Sequence, residues 1–364
     1  MTEFTFGAEE EFHVLDAVTG QLRTAAPEVL AELGDRLAGE VDPELLRTQI
    51  EIQTPVCETL AELRTHLLRL RGDVATSAAR VGCRIAASGT WPGPTQQVPP
   101  TDEERYRQIA DRFGPTAREQ TVCGAHVHVH IGDRDLRMAV IRRVRPWLAT
   151  LLALSANSPF WRGADTGYSS YRSQVWGRWP TAGPPPALRS AAEYDDLVGA
   201  LLAAGVMRDE GMLYWDVREA RRFHTVEFRV ADIGTHVDDT LLLAALARAL
   251  AQTSVRAEQS SQPCADVRPE LVRGAQWRAA RYGLAGELVD PATGRPAPAG
   301  DVVAQLVGYV RPALEQQGDA VFVDGAVQAL LAGGTGAVRQ RAAYRRAGRI
   351  DDVVRMLADE TDGR

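Results

Sequence analysis

The chain has 364 residues, 45% hydrophobic and 24% charged, with a formal net charge of -7 and a pI near 5.6. This is ordinary globular composition, rich enough for a large core and without the cationic excess of a general nucleic-acid or acidic-membrane binder. All 41 basic residues are arginine, which excludes a lysine Schiff base, a lysine nucleophile and a phosphate-loop lysine, so that a nucleotide must be held by arginine and metal.

Phe4 to Leu15 predicts a strand. Side chains alternate faces along a strand, so Phe4, Phe6, Phe12 and Val14 share one face and Glu9 and Glu11 the other. Two neighbouring carboxylates repel unless a cation lies between them, which leaves a hard divalent metal or a solvated acidic edge. Glu10 falls on the apolar face and is expected to be a hydrogen-bonded structural residue, because a buried carboxylate needs partners. Gln21 to Leu37 predicts a turn and a helix with Pro27 near its start. Asp42-Pro43-Glu44 leads into a run ending Gln49 to Gln53, with Ile50 and Ile52 on one face, Gln49, Glu51 and Gln53 on the other, and Pro55 as its stop.

Glu58 to Val81 predicts an amphipathic helix with Leu60, Leu63, Leu67, Leu70 and Val74 as its buried stripe. Arg84 to Ser88 is a short strand, and Thr101 to Phe113 a polar helix read as a flap or an oligomer contact. In Gly124 to Ile131, Ala125, Val127, Val129 and Ile131 pack inward while His126, His128 and His130 share the opposite face. Leu136 to Ala156 predicts a helix broken at Asn157-Ser158-Pro159. Trp161 to Pro186 is long and irregular, a form usually kept for function; its Trp161, Trp176 and Trp179, interleaved with Arg162, Arg172 and Arg178, read as a lid over a charged small molecule or as plain core. Asp195 to Met207 predicts a helix. Phe223 to Asp232 predicts a strand with Val226, Phe228 and Val230 on one face and Thr225, Glu227 and Arg229 on the other. Thr240 to Arg256 is an apolar helix, and Gln262 to Arg364 is mostly helical with a frayed end.

No linker or repeat interrupts the chain, so one domain over residues 1–364 is expected. Cys57, Cys83, Cys123 and Cys264 lack CxxC spacing and read as reduced thiols. No run of about 20 apolar residues is seen to span a bilayer, and no export signal opens the chain; a cytoplasmic protein is expected. His13 and His66 read as surface or packing residues, His130 as peripheral, and His224 and His236 as flanking a site.

Four strands thus repeat one design, apolar on one face and bearing Glu9 with Glu11, Glu51 with Gln53, His126 with His128 and His130, or Glu227 with Arg229 on the other. One sheet carrying all four would concentrate them in a site. Carboxylates outnumber imidazoles, which favours Mg²⁺ or Mn²⁺ over Zn²⁺. Arginine beside such glutamates points to phosphate, and together they fit phosphoryl transfer from a nucleotide.

Gly7-Ala8-Glu9-Glu10-Glu11-Phe12, Gln49 to Pro55, Gly124 to Val129, Ser170-Tyr171-Arg172, Trp179 to Gly183, Val226 to Asp232, Trp277 to Gly283 and Gly334 to Ala337 resemble, in order and over essentially the whole chain, the type 2 glutamate–cysteine ligase family of carboxylate–amine ligases. The resemblance implies an α+β, glutamine-synthetase-like fold: a curved antiparallel sheet with its site on the concave face and helices behind. It implies ATP and two or three Mg²⁺ ions, and an amide bond made through an acyl phosphate with release of ADP and phosphate. The family's metal ligands match Glu9, Glu11, Glu51, His126 and Glu227. Arg229 matches a phosphate contact; Arg172 and Trp179 join it as candidate ATP contacts. Arg172 or Arg229 is the candidate to stabilise the moving phosphoryl, and His128 or Glu51 the candidate base for the amine. His128 stands where other glutamate–cysteine ligases tend to carry asparagine, and Gly183-Pro184-Pro185 departs from the usual Gly-Leu-Pro. Small carboxylate and amine substrates are implied as partners, with no nucleic acid and no membrane; a homodimer is also expected. The competing readings are a zinc hydrolase built on His126 and His128 and a non-catalytic nucleotide or metabolite sensor on the same scaffold.

Overall fold

The structure is a computed structural model and describes residues 4–94 and 97–363. Its organising element is β1, Phe6–Asp16, whose eleven residues are long enough to serve three neighbours. Residues 9–13 pair with β3 (Gln49–Gln53), residues 6–10 with β5 (Gly124–His130), and residues 13–16 with β4 (Cys83–Ala86), all antiparallel. With β2 (Val41–Pro43), β6 (Val217–Ala220) and β7 (Thr225–Asp232), the seven-stranded sheet runs β2-β3-β1-β5-β7-β6, with β4 paired to β1 off that path. This antiparallel sheet backed by helices is the α+β, glutamine-synthetase-like fold expected from the sequence.

Helices cover the apolar face, two of them over its centre. In α1 (Leu60–Arg80), Thr59 and Glu62 close a reciprocal capping box, and Leu63, Leu67, Leu70 and Val74 are fully buried. The helix α4 (Val237–Gln259) is apolar nearly all round, because it lies between the sheet and the outer helix Ala299–Gln317. Phe12, Ile50, Ile52, Val127 and Val129 pack beneath this layer with no exposed surface. Glu10 points into it as well. Its two oxygens each accept from Arg71 at 2.7 Å, and Thr240 Oγ1 donates to one of them at 2.5 Å. Glu10 is therefore a buried structural ion pair.

The expected helix from Leu136 to Ala156 is two helices, Arg134–Val144 and Leu148–Ser155, joined by a 3₁₀ turn at Arg145–Trp147 because Pro146 has no N–H to donate. The apolar stretch Ala320–Ala347 has the length and composition of a membrane span, which the sequence reading did not register. It folds as two helices, Ala320–Gly333 and Gly336–Ala347, parted at Gly334 with φ +81°. The last helix, Ile350–Thr361, is held to β4 by Arg84, whose Nη2 lies 2.9 Å from Asp359 and 2.7 Å from Asp362.

Candidate active site

The sheet's other face carries three rungs of side chains set by strand register. Asp42, Glu51 and Glu11 are cross-strand neighbours on β2, β3 and β1. Gln53, Glu9 and His126 form the next rung on β3, β1 and β5. His128, Glu227 and Arg218 form the third on β5, β7 and β6. Residues opposite one another in antiparallel strands bring their side chains together, so four distant segments deliver one cluster. Glu9 lies 3.1 Å from both His126 Nδ1 and His128 Nε2, and Glu11 lies 3.6 Å from His126 Nε2. Arg218 Nε lies 2.7 Å from Glu227, which also contacts Arg229.

Among the described residues, the atoms able to hold a metal fall into three overlapping groups: Glu9 with Glu51 and His126, Glu9 with His128 and Glu227, and Glu11 with Glu44 and Glu51. Within each group every ligand atom lies within 4.8 Å of the others. Glu44, just past β2, was not expected in the site. Nothing in Asp42-Pro43-Glu44 alternates, and the placement depends on the hydrogen-bonded turn into β3; an acidic residue one strand before Glu51 was the only signal. The glutamate–imidazole set expected from the sequence, Glu9, Glu11, Glu51, His126 and Glu227, is brought together with it.

The electrostatics separate these carboxylates. Burial and then Glu44 push Glu11 up to about 8. Burial, with Glu9, Glu44 and Glu11, raises Glu51 well above the carboxylate range. Burial would raise Glu227 too, but Arg218 and Arg229 bring it far below the usual value. His128, and then His126, likewise overcome burial at Glu9. Burial and Arg229 hold His126 down to about 4, so its imidazole is neutral. Neither His126 Nε2 nor His128 Nε2 has a hydrogen-bond partner among the described residues. Crowded carboxylates that cannot all ionise, beside the neutral His126 and two imidazole Nε2 atoms without hydrogen-bond partners, fit divalent cations; the oxygen-rich donor set suits Mg²⁺ or Mn²⁺.

Above the cluster lies a chamber of about 370 Å³. The helix α2 (Glu104–Phe113), read from sequence as a flap or an oligomer contact, forms part of its wall through Arg105, Tyr106 and Ile109. Trp176 and Trp179 line it, as do Arg218 and Arg229, while Trp161 stands apart against Tyr171. His130, His224 and His236 do not line it. His128 Nδ1 lies 2.9 Å from Thr225 Oγ1, while its Nε2 faces Glu9 at 3.1 Å without hydrogen-bond geometry.

Arg172 is in a different position from Arg229. It opens the short helix α3 (Arg172–Trp176) and is only 2% exposed. Its backbone N–H donates to Ser158 Oγ at 3.0 Å, and Ser158 and Ser170 both donate to Asp232, at 2.6 and 2.8 Å. Its guanidinium has no ion-pair partner among the described residues; the acceptor is the Arg229 carbonyl at 3.4 and 3.5 Å, and Nε has none. It lines a second cavity beyond Trp176 rather than the carboxylate chamber. A register shift between β5 and β7, where Ala125 pairs with Ala231 but Val127 with Phe228, also corrects the expected face of Val230. The extra residue moves Val230 off the face of Val226 and Phe228, and it too lines this second cavity.

Residues 5–356 match the family described as Glutamate-cysteine ligase family 2 (GCS2). The chain belongs to this family. A relative from Frankia alni named "Putative glutamate–cysteine ligase 2-2" is 47% identical over 372 residues, covering 98% of this chain and 97% of its own. One of the same name from Mycolicibacterium vanbaalenii is 44% identical over 357 residues, covering 98% of each. The glutamate–cysteine ligase of Francisella tularensis, solved in complex with AMP, superposes with a TM-score of 0.71 at 12% identity, over all of this chain and 89% of that one. A bifunctional glutathione synthetase from Pasteurella multocida gives 0.75 at 17% identity, over 99% of this chain and 51% of that one. At these identities the superpositions establish the fold. Family membership makes the chain a glutamate–cysteine ligase-like, ATP-dependent ligase, as the sequence resemblance implied.

Proposed function

We propose that this GCS2 member joins a small carboxylate to an amine through an acyl phosphate, with ATP cleaved to ADP and phosphate. The observation that carries the reading is the three overlapping groups on one side of the sheet, two of carboxylates with an imidazole and one of carboxylates alone, with Arg229, Arg218 and Arg105 around the same chamber. Glu9, Glu11, Glu44, Glu51, His126, His128 and Glu227 would hold divalent cations, which would supply neutralisation of the charge on a transferring phosphoryl group. The AMP named in the Francisella complex is consistent with an adenine nucleotide here.

The chain's own groups supply the rest. Arg229, fixed by Glu227 and stacked 5.7 Å over Trp176, presents a guanidinium that stays charged in a buried wall, where a hydrogen bond to a phosphoryl oxygen is strong. A substrate carboxylate oxygen forms the new bond to the γ-phosphorus as the bond to ADP breaks. The amine nitrogen then bonds to the acyl carbon as the carbon–oxygen bond to phosphate breaks and the amine proton leaves. Trp176, Trp179 and α2 enclose the chamber and keep water from the acyl phosphate. His128, oriented by Thr225 at Nδ1 and with Nε2 toward Glu9, would belong with the metal-holding residues, and Arg172 with the neighbouring cavity.

The test is ADP release across a panel of carboxylate and amine pairs. ADP that requires Mg²⁺ and both substrates supports the reading. Nucleotide-independent turnover with Zn²⁺ would replace it with a hydrolase, and nucleotide binding without turnover on any pair with a sensor.

A further inference from the structure

The second cavity opens on the far side of Trp176 and has a volume of about 530 Å³, in the range of small-ligand pockets. Its walls are largely apolar, with Leu152, Val230 and Pro184 facing Trp176 and Trp277. Its charged groups are two guanidiniums and two carboxylates. Arg172 and Asp216 lie inside, and Glu270 and Arg273 stand at the mouth on α5 (Pro269–Tyr282). Asp216 is 9% exposed, and Gln276 donates to one of its oxygens at 2.9 Å. Arg172 is the telling group: Glu11, Asp216 and Asp232 act on it only at longer range and Trp176 lies 5.6 Å from it, so its buried N–H groups still lack a bonded anion.

Charge decides the class of ligand. A nucleotide with several negative charges is matched by dications in the first chamber, not by this balanced set. A zwitterion matches it, with a carboxylate for Arg172 and an ammonium for Asp216, while the apolar walls take an apolar side chain. Asp216 also stands at the wall between the two spaces, for its carbonyl accepts from the Arg229 N–H at 2.8 Å. Burial holds its carboxyl up to about 6, so it takes a proton more readily than an ordinary aspartate.

We infer that the cavity behind Trp176 binds the amine substrate, as a zwitterionic α-amino acid with an apolar side chain, its carboxylate on Arg172 and its ammonium toward Asp216. This rests on the ligase reading only in calling the amino acid a substrate; the binding itself does not depend on it.

Gly274 of α5 gives the test, because it lines the cavity and a Cβ there would meet nothing within 4 Å. Gly274→Phe starts from a Cβ with room around it and adds a bulky ring at the cavity wall. Calorimetric titration uses the intact protein with Mg²⁺ and a non-hydrolysable ATP analogue, and L-leucine and L-phenylalanine as probes. One or both are expected to bind saturably, and Gly274→Phe to weaken that binding roughly tenfold or more with analogue affinity unchanged. Leucine methyl ester and N-acetyl-leucine, lacking one charge each, are expected to bind at least about tenfold more weakly than leucine to the unaltered protein, which needs no variant to fold. Unchanged amino-acid binding in Gly274→Phe, or binding of neither probe, overturns the inference. Loss of the analogue in the variant also overturns it, by making the cavity a nucleotide site. Failure of the unaltered protein to bind the analogue counts against the ligase reading instead, and titration without nucleotide then still decides the cavity.

Discussion

Arg172 lies directly against Gly124, where an added Cβ would stand 2.9 Å from Arg172 Cζ and 3.0 Å from His126 Nε2. The absence of a side chain at the start of β5 is what lets a buried guanidinium rest on the strand beside the imidazole. Ser158 fixes the other end of the residue through the Arg172 N–H at 3.0 Å. Gly124→Ala is expected to cost about 1–3 kcal/mol from overpacking and to lower ADP release at least about tenfold by displacing Arg172 or His126. Urea unfolding and the turnover assay check both, and wild-type turnover would show that this contact is not needed.

Glu44 belongs to the site by position and not by any motif. Glu44→Gln keeps shape and removes charge from the group shared with Glu11 and Glu51. It is expected to reduce ADP release at least about a hundredfold and to shift the Mg²⁺ dependence to higher concentration, since the neutral amide is the weaker ligand for a hard cation. An unchanged Mg²⁺ titration would remove Glu44 from the cation-holding set.

The crowding of the carboxylates makes the stability of the metal-free protein depend on pH with a definite sign. Glu11 is held at about 8 against an ordinary 4.5, so between these values the unfolded chain has lost a proton that the folded chain keeps. Stability then falls as pH rises, and the fall ends above 8. His13 and His126, both held down to about 4 against 6.5, act in the opposite direction, but only below 6.5. Glu9 and Glu227, both depressed, act only below the ordinary carboxylate value. With EDTA the midpoint of thermal unfolding is therefore expected to decline between pH 6.5 and 8, and with excess Mg²⁺ the decline should vanish as the cation displaces the protons. The same slope with and without Mg²⁺ would contradict the assignment of these carboxylates to a cation.

On the opposite face, Arg71 also donates to the carbonyls of Thr235 and Gly234, at 2.6 and 3.0 Å, so it ties the end of β7 to β1. Arg71→Met leaves Glu10 buried without its cation and is expected to cost about 3–5 kcal/mol. Arg71→Met with Glu10→Leu removes both charges and should recover much of that loss. Urea unfolding of the two proteins checks this, and equal stabilities would mean that Glu10 finds another partner.

Alternation along single strands made much of the site readable in advance. The period of two is a local property, so Glu9 with Glu11, His126 with His128, and Glu227 with Arg229 could be assigned to one face, and Glu10 to the other, without knowing which strands pair. Glu44, Arg218 and the wall formed by α2 were not readable in this way. Glu44 lies outside any alternating run, Arg218 sits on a four-residue strand, and α2 faces the chamber only because of how it packs over the sheet.

The order of residues along the chain thus determined the family, the faces of most strand residues and the carboxylate and imidazole chemistry of the site, because these follow from residue types and short spacings. The order β2-β3-β1-β5-β7-β6, the register that sets Glu9 beside His126, and the shift that turns Val230 toward the second cavity were decided only in the folded chain. Pairing between strands far apart in sequence is set by how their apolar faces share one core under α1 and α4. A shift of one residue exchanges the faces of everything after it, and no local pattern records where that happens.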